Sequence, residues 1–281
     1  MPRSKIRRTI LLVTWNLTSR VNKFRSADVL VLSVGKSGRT WLRVLLNKYL
    51  ALHFGQDFTL DDLHEQAAGV PSILYDHELW SHFSDATWYE RLLGSNIAPP
   101  AVLGSKKVVI VYRDPRDVVV SMYFQKTKRS RRKIEIAIAD FIRDARYGVD
   151  NIVRVMNLWH RRLAGHKQCH WLCYETLKAD TAGELRRLLE FMAIADIRDD
   201  LIAEAVAFAE FGNMKKMEAA DAFGSPILRA RDTADPDSFK VREGSVGGFR
   251  KHFQAPELAY LDDALTRLDP FFPYRGGAAA D

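Results

Sequence analysis

Cysteine is nearly absent. Only Cys169 and Cys173 occur among 281 residues. Two are too few for a disulfide framework, and their spacing puts both on one face of a short strand. They read as packed thiols of a reducing compartment. His170 stands beside them, but two thiols and one imidazole on one strand make a poor tetrahedral set, so no metal is expected. Long apolar runs are also missing: none reaches the roughly 20 residues that cross a bilayer. The N-terminal run 10–17 follows Arg3, Lys5, Arg7 and Arg8 and is interrupted by Thr14 and Asn16. It is too short to span, and a peripheral membrane contact through Arg7, Arg8 and Trp15 is its alternative use. There is no internal repeat. No recognition helix or aromatic platform accompanies the basic residues, so nucleic acid is not an expected partner.

What remains is an ordinary globular composition, 47% hydrophobic and 27% charged, in a length that suits one large α/β domain. The division is a basic N-terminal segment 1–27, a domain over 28–275 and a flexible tail 276–281. The net charge of +7 suits a polyanionic ligand. Much of it is local: Lys126, Lys128, Arg129, Arg131, Arg132 and Lys133 form one cluster. Such a run is a solvated face or a lure for an anionic acceptor or lipid head group.

Residues 31–42 read Val-Leu-Ser-Val-Gly-Lys-Ser-Gly-Arg-Thr-Trp-Leu. An apolar strand over 29–34 ends in a glycine loop, and a helix follows from Thr40 with Trp41, Leu42, Leu45, Leu46 and Tyr49 on its inner side. Strand, glycine loop and helix start build an anion cradle. Gly35 and Gly38 let backbone N–H groups converge, the helix N-terminus adds partial positive charge, Lys36 adds a full one, and Ser37 and Thr40 add hydroxyls. A Walker A loop needs a glycine at position 30, where this chain has Leu30. A second apolar strand, 108–111, runs into Tyr112-Arg113-Asp114-Pro115-Arg116-Asp117. Asp114 suits an N-cap and Pro115 the first helical turn. Asp117 and Ser121 lie one turn apart on one face.

The two segments together resemble the sulfotransferases that use 3′-phosphoadenosine-5′-phosphosulfate (PAPS). Residues 36–41 resemble the family's 5′-phosphosulfate loop, Pro-Lys-Ser-Gly-Thr-Thr-Trp. Tyr112 to Ser121 resembles its 3′-phosphate segment. Arg242-Glu243-Gly244-Ser245-Val246-Gly247-Gly248-Phe249-Arg250 resembles its C-terminal pattern, Arg-Lys-Gly, two residues, Gly, one residue, Trp-Lys. The departures are Gly35 for proline, Arg39 for threonine, Glu243 for lysine, Phe249 for tryptophan and Arg250 for lysine.

The resemblance implies a single α/β domain, a central parallel sheet with helices on both faces and a P-loop-like phosphosulfate loop. It implies a cytoplasmic enzyme, in one version membrane-associated. PAPS would be the sulfuryl donor and adenosine 3′,5′-bisphosphate the product, with no metal. Gly35, Lys36, Ser37, Gly38, Arg39 and Thr40 would hold the 5′ end. Arg113, Ser121, Arg242, Glu243 and Gly244 would hold the 3′-phosphate. Trp41 and Phe211 would flank the adenine, and Tyr174 would hydrogen-bond it. Lys36, His77 and Ser121 would be catalytic, with His77 the base, because an apolar run 72–76 ends there between the two phosphate motifs. His64 and His82 are the rivals for that role, and His252 is expected to cap the turn 249–253. The acceptor would carry a hydroxyl, as a small molecule, lipid or carbohydrate. A non-catalytic nucleotide-binding protein and a P-loop kinase are the competing classes.

The strand–helix alternation itself argues for a parallel sheet, whose ligands bind beyond the carboxyl ends of the strands. A further strand is expected at 170–174, helices at 137–163, 181–193, 199–209 and 255–267, and a lid-like loop at 221–248.

Overall fold

The computed structural model of the chain describes residues 22–63, 69–94 and 96–275. His64, most of the basic N-terminal segment with Arg7, Arg8 and Trp15, and the tail 276–281 lie outside the described residues. Four strands, β1 (Val29–Ser33), β2 (Ile73–Asp76), β3 (Lys107–Tyr112) and β4 (Cys169–Cys173), form one sheet in the order β2-β1-β3-β4. All three pairings are parallel, with Val29 opposite Ile73 and Lys107, and Val108 opposite Cys169.

The strands are apolar on both sides because both sides are covered. Val29, Val31, Val109 and Val111 face one cluster, which takes in Leu42, Leu45, Leu46 and Tyr49 of α1 (Arg39–Phe54). Leu30, Leu32, Val108 and Ile110 face the other, which takes in Val118 and Val119 of α3 (Pro115–Phe124) and Ile152, Met156 and Trp159 of α4 (Val149–Leu163). Between them in sequence comes the short α2 (Glu78–Ser84). Helices α5 (Thr181–Met192) and α6 (Asp199–Phe208) join the first face, and α8 (Ala255–Thr266) joins the second. Helix α7 (Phe211–Ala219) lies between α6 and the long loop.

Two expectations needed correction. The helix expected over 137–163 is broken: a single turn, Ile138–Phe141, precedes α4. The Asp144 carboxylate accepts the N–H groups of Arg146 and Tyr147, both at 2.8 Å, which makes a local turn that competes with the helix. The strand expected at 170–174 starts at Cys169 and ends at Cys173, because Tyr174 already opens the helical turn Tyr174–Ala179. The segment 221–248 is mostly irregular, with short 3₁₀ turns at Pro226–Leu228 and Pro236–Ser238.

The chain leaves β1 toward β2 on one side, while β3 leads to β4 on the other. The crevice at that divergence lies beyond Ser33 and Tyr112, where a doubly wound sheet binds its ligand.

Candidate active site

The loop after β1 is tightly bent. Lys36 adopts φ 76°, rare for a residue with a side chain, and Gly38 adopts φ 95°. A Cβ at Gly38 would lie 2.4 Å from the Tyr174 ring, and one at Gly35 would lie 2.7 Å from the Met122 methyl. Gly38 is therefore required for bending and for close approach, and a side chain at Gly35 would push the Met122 methyl aside. Helix α1 has no acid in its first turn and no side-chain cap, so its positive end is left for an anion.

These residues open onto a cleft of about 390 Å³. Of the expected site residues, Gly35, Lys36, Gly38, Arg39, Thr40, Trp41, His77, Arg113, Ser121, Tyr174, Phe211, Arg242 and Gly244 all line it. Ser37 and Glu243 do not. Ser37 is 1% exposed beneath the loop, and its N–H reaches back to the Val34 carbonyl at 3.4 Å. Glu243 turns aside to pair with Arg242 and with Lys251 (2.6 Å). His82 also fails to reach the cleft and packs edge-on against Phe83. His252 does not cap its turn by a side-chain bond; its ring meets Phe124, 5.6 Å between centroids.

His77 follows β2 directly. Glu78, fully buried, accepts from the N–H groups of Leu79 and Ala98, the indole of Trp159 and the guanidinium of Arg162, all at 2.7–2.9 Å. That network fixes the start of α2. The His77 Nδ1 lies 2.9 Å from the Ser33 carbonyl oxygen, which can only accept. Nδ1 therefore carries the proton, and Nε2 keeps its lone pair in the neutral ring. Burial, aided by the Arg39 guanidinium and opposed by that hydrogen bond, holds the imidazole well below its ordinary pKa.

The cations in the cleft are crowded. Burial, then the charge of Arg129, lowers Lys36 to about 7, with Glu218 opposing. Burial and Arg43 lower Arg39 to about 10. The Nη1 of Arg39 and the Nε of Arg113 are buried without a partner. Orphaned guanidinium donors are costly, and a polyanion suits them. Arg113 donates to Asp117 (3.2 Å) and to the Ser245 carbonyl (2.7 Å) and lies over the Tyr174 ring. Asp117, 3% exposed, also takes the N–H groups of Gly247 and Phe249, both at 2.9 Å. One carboxylate thus closes the C-terminal glycine segment over the end of β3.

On the aromatic side, the Trp41 indole donates to the Ala209 carbonyl (2.9 Å) and meets Tyr174 edge-on. Phe211, at the start of α7, covers Gly244, where a Cβ would lie 2.9 Å from its ring. A planar base would find three rings here.

Lys240, Gln125 and Lys178 are among the cleft residues that escaped the sequence reading. Lys240 lines it, donates to the Ile227 carbonyl (2.9 Å), and is held well below its ordinary pKa by burial and by Lys36. Gln125 accepts from the Lys36 ammonium at 3.4 Å. Lys178 donates to the Gly244 carbonyl. Lys240 stands two residues before Arg242 and Lys178 four residues after Tyr174, so proximity to the expected site residues was the available signal. The pair holding Lys240 had none. Arg129, in the π-helical turn Gln125–Arg129, bonds Glu218 at 2.6 Å, and Glu218 accepts the N–H groups of Lys240 and Val241.

Comparison with known proteins gives the family and the fold. A family model described as sulfotransferase domain matches residues 26–268. The chain is similar to cytosolic sulfotransferase 17 of Arabidopsis thaliana, 25% identical over 260 residues, covering 86% of this chain and 74% of that one. It is similar to the amine sulfotransferase of Oryctolagus cuniculus, 23% identical, covering 94% and 88%. Among solved structures, the mouse sulfotransferase SULT7A1 complexed with PAP aligns with a TM-score of 0.61 at 19% identity, over 89% of this chain and 87% of that one. A retinol dehydratase in complex with androsterone and inactive cofactor PAP aligns at 0.60 and 20%, over 92% and 87%.

Proposed function

The chain belongs to the sulfotransferase domain family and is a sulfotransferase, and from that premise we propose that it moves the sulfuryl group of PAPS onto a hydroxyl, with His77 as the base. When bound, PAPS supplies an activated sulfuryl group on a phosphate leaving group. The observation that carries the reading is the convergence of Lys36, His77 and Arg113 with three aromatic rings on one cleft.

The residues divide the work. His77 receives the acceptor's proton at Nε2, the nitrogen left free by the Ser33 hydrogen bond. Lys36 meets the charge that grows on the leaving oxygen, so its contribution falls on the rate rather than on binding. The α1 N-terminus, Arg39 and Thr40 hold the 5′ end. Arg113, Ser121 and Arg242 hold the 3′-phosphate, for which the planar guanidinium fork is suited. Trp41, Phe211 and Tyr174 hold the adenine. Asp114 and Asp117, the acids a kinase would offer to Mg²⁺, are engaged with Arg116 and with Arg113. The relatives named above include an amine sulfotransferase and a retinol dehydratase solved with androsterone; a hydroxyl acceptor of apolar character suits Trp80 and Met122, which line the cleft with His77. A cytoplasmic location follows the names of the cytosolic relatives.

The test is His77→Asn. Turnover of a simple aliphatic alcohol with PAPS is expected to fall by about 100- to 10,000-fold, the usual worth of a positioned base. The affinity for adenosine 3′,5′-bisphosphate, read by calorimetry, is expected to stay within about twofold. Undiminished turnover would remove His77 from the mechanism. In the wild type kcat/KM falls as His77 of the free enzyme protonates, and its lowered pKa puts that fall well below pH 6.5.

A further inference from the structure

We propose that the rim of the cleft is a docking surface for an anionic lipid bilayer. It is formed by Trp88, Tyr89, Leu92 and Leu93 on one flank and by Arg131, Arg132 and Lys133 on the other. The assignment rests on the acceptor reading above, because it concerns the acceptor's way in.

Seven large apolar side chains are exposed among the described residues, and four of them fall between 88 and 93. Trp88 is 78% exposed and Leu92 80%. Single exposed apolar residues are common; four together mark a contact surface. The turn that presents them is well held. The Glu90 carboxylate takes the Thr87 N–H and hydroxyl at 2.9 Å, and Arg91 donates to the Phe83 carbonyl at 2.8 Å.

The basic flank is what remains of the 126–133 cluster after the fold has used half of it. Lys126 pairs with Asp85, Lys128 approaches Asp235 at 3.9 Å, and Arg129 is buried against Glu218. Arg131, Arg132 and Lys133 are exposed, and none pairs with a carboxylate among the described residues. Their loop is closed at its base by the Ile134 N–H on the Lys126 carbonyl, 3.2 Å. Glu135 is the first acid beyond them.

One joint holds both flanks to the mouth. Asp85, just before the apolar turn, accepts from Lys126 at 3.0 Å and from the Tyr147 hydroxyl at 2.9 Å. Asp85, Lys126 and Ser130 all line the cleft, along with His77 and Trp80. The apolar turn, three residues past Asp85, and the basic loop, which follows Ser130, are therefore each joined to the lining of the same opening.

Trp and Tyr favour the boundary between water and hydrocarbon, and arginine and lysine are drawn to anionic head groups. Either signal alone gives weak, reversible attachment; the two together give a stable one. The free cations, with no acid among them, select a bilayer bearing negative charge. The acceptor is then an amphiphile whose hydroxyl sits at head-group level and enters the cleft without crossing bulk water.

The full-length chain should sediment with vesicles of phosphatidylcholine containing about one third phosphatidylglycerol and should bind pure phosphatidylcholine at least about tenfold more weakly. Trp88→Ser with Leu92→Ser, and separately Arg131→Gln with Arg132→Gln and Lys133→Gln, should each weaken anionic-vesicle binding by at least about tenfold. In both variants the thermal shift by adenosine 3′,5′-bisphosphate should be unchanged, which shows that they fold. Absence of vesicle binding by the folded wild type overturns the proposal. So does binding that both variants retain, since the contact then lies elsewhere on the chain. Self-association that the Trp88 and Leu92 changes abolish, without vesicle binding, assigns the patch to a second copy and also overturns it. Vesicle binding concerns the rim alone, and loss of transfer in solution concerns the active-site reading alone, so the two fail separately.

Discussion

In the role proposed for it, the Lys36 side chain must be buried to reach the reacting atoms and charged to hold them. Burial and Arg129 bring its pKa to about 7, against 10.5 in the unfolded chain. From about pH 7 to 10.5 the unfolded state binds the extra proton, so this group's contribution to the stability of the empty protein rises with pH across that window and is lost as pH falls to 7. A bound polyanion reverses the bias, because a neighbouring negative charge favours the ammonium. Binding of adenosine 3′,5′-bisphosphate at pH 8.5 should therefore take up protons, close to one at Lys36 and a further share at Lys240, which lines the same cleft and is also lowered. Calorimetry in buffers of differing ionisation enthalpy reads this directly, and Lys36→Met should reduce the uptake. A binding enthalpy independent of buffer would contradict a neutral Lys36. The crowding that causes the shift was not legible in the sequence. Lys36 could be found from its loop, but Arg129 lies 93 positions away in a run that reads as surface charge.

Helix α3 and its π-helical extension show how one element serves several parts of the cleft. Arg113 precedes it, Asp117 and Ser121 share its face, and Gln125 and Arg129 follow on the extension. The sequence announced its start through Asp114 and Pro115, and the Asp114 carboxylate does accept the Arg116 N–H at 2.9 Å. The partner of Asp117 could not be announced, because it is backbone: the N–H groups of Gly247 and Phe249, 130 positions or more away. Asp117→Ala would leave those donors without their acceptor and the Arg113 guanidinium without its carboxylate, with only the Ser245 carbonyl remaining. We expect a stability loss of about 3–5 kcal/mol in urea unfolding, the range for stranding one member of a buried charged pair. A loss below about 1 kcal/mol would mean that the glycine segment is held by something else. The broken helix before α4 teaches the converse. Apolar spacing over 137–163 was continuous enough to suggest one helix, and a single Asx turn at Asp144 outweighed it.

For the whole molecule, the sheet order decides where everything meets. Strands β1 and β3 are neighbours whose chains depart in opposite directions, so the two phosphate motifs, 70-odd positions apart, end side by side. Parallel alternation was legible because strands covered on both faces are apolar throughout. The strand order and the closing of 240–249 over the cleft depend on long-range pairing, which local pattern does not encode. The central claim is that this cleft recognises both ends of PAPS, with Arg113 reading the 3′-phosphate. The measurement that tests it most directly is the affinity for adenosine 3′,5′-bisphosphate against adenosine 5′-monophosphate, in the wild type and in Arg113→Ala. The wild type should prefer the bisphosphate by about 2–4 kcal/mol, the worth of a buried charge-paired contact, and Arg113→Ala should lose most of that preference. Equal affinities in the wild type, or an undiminished preference in the variant, would contradict the account.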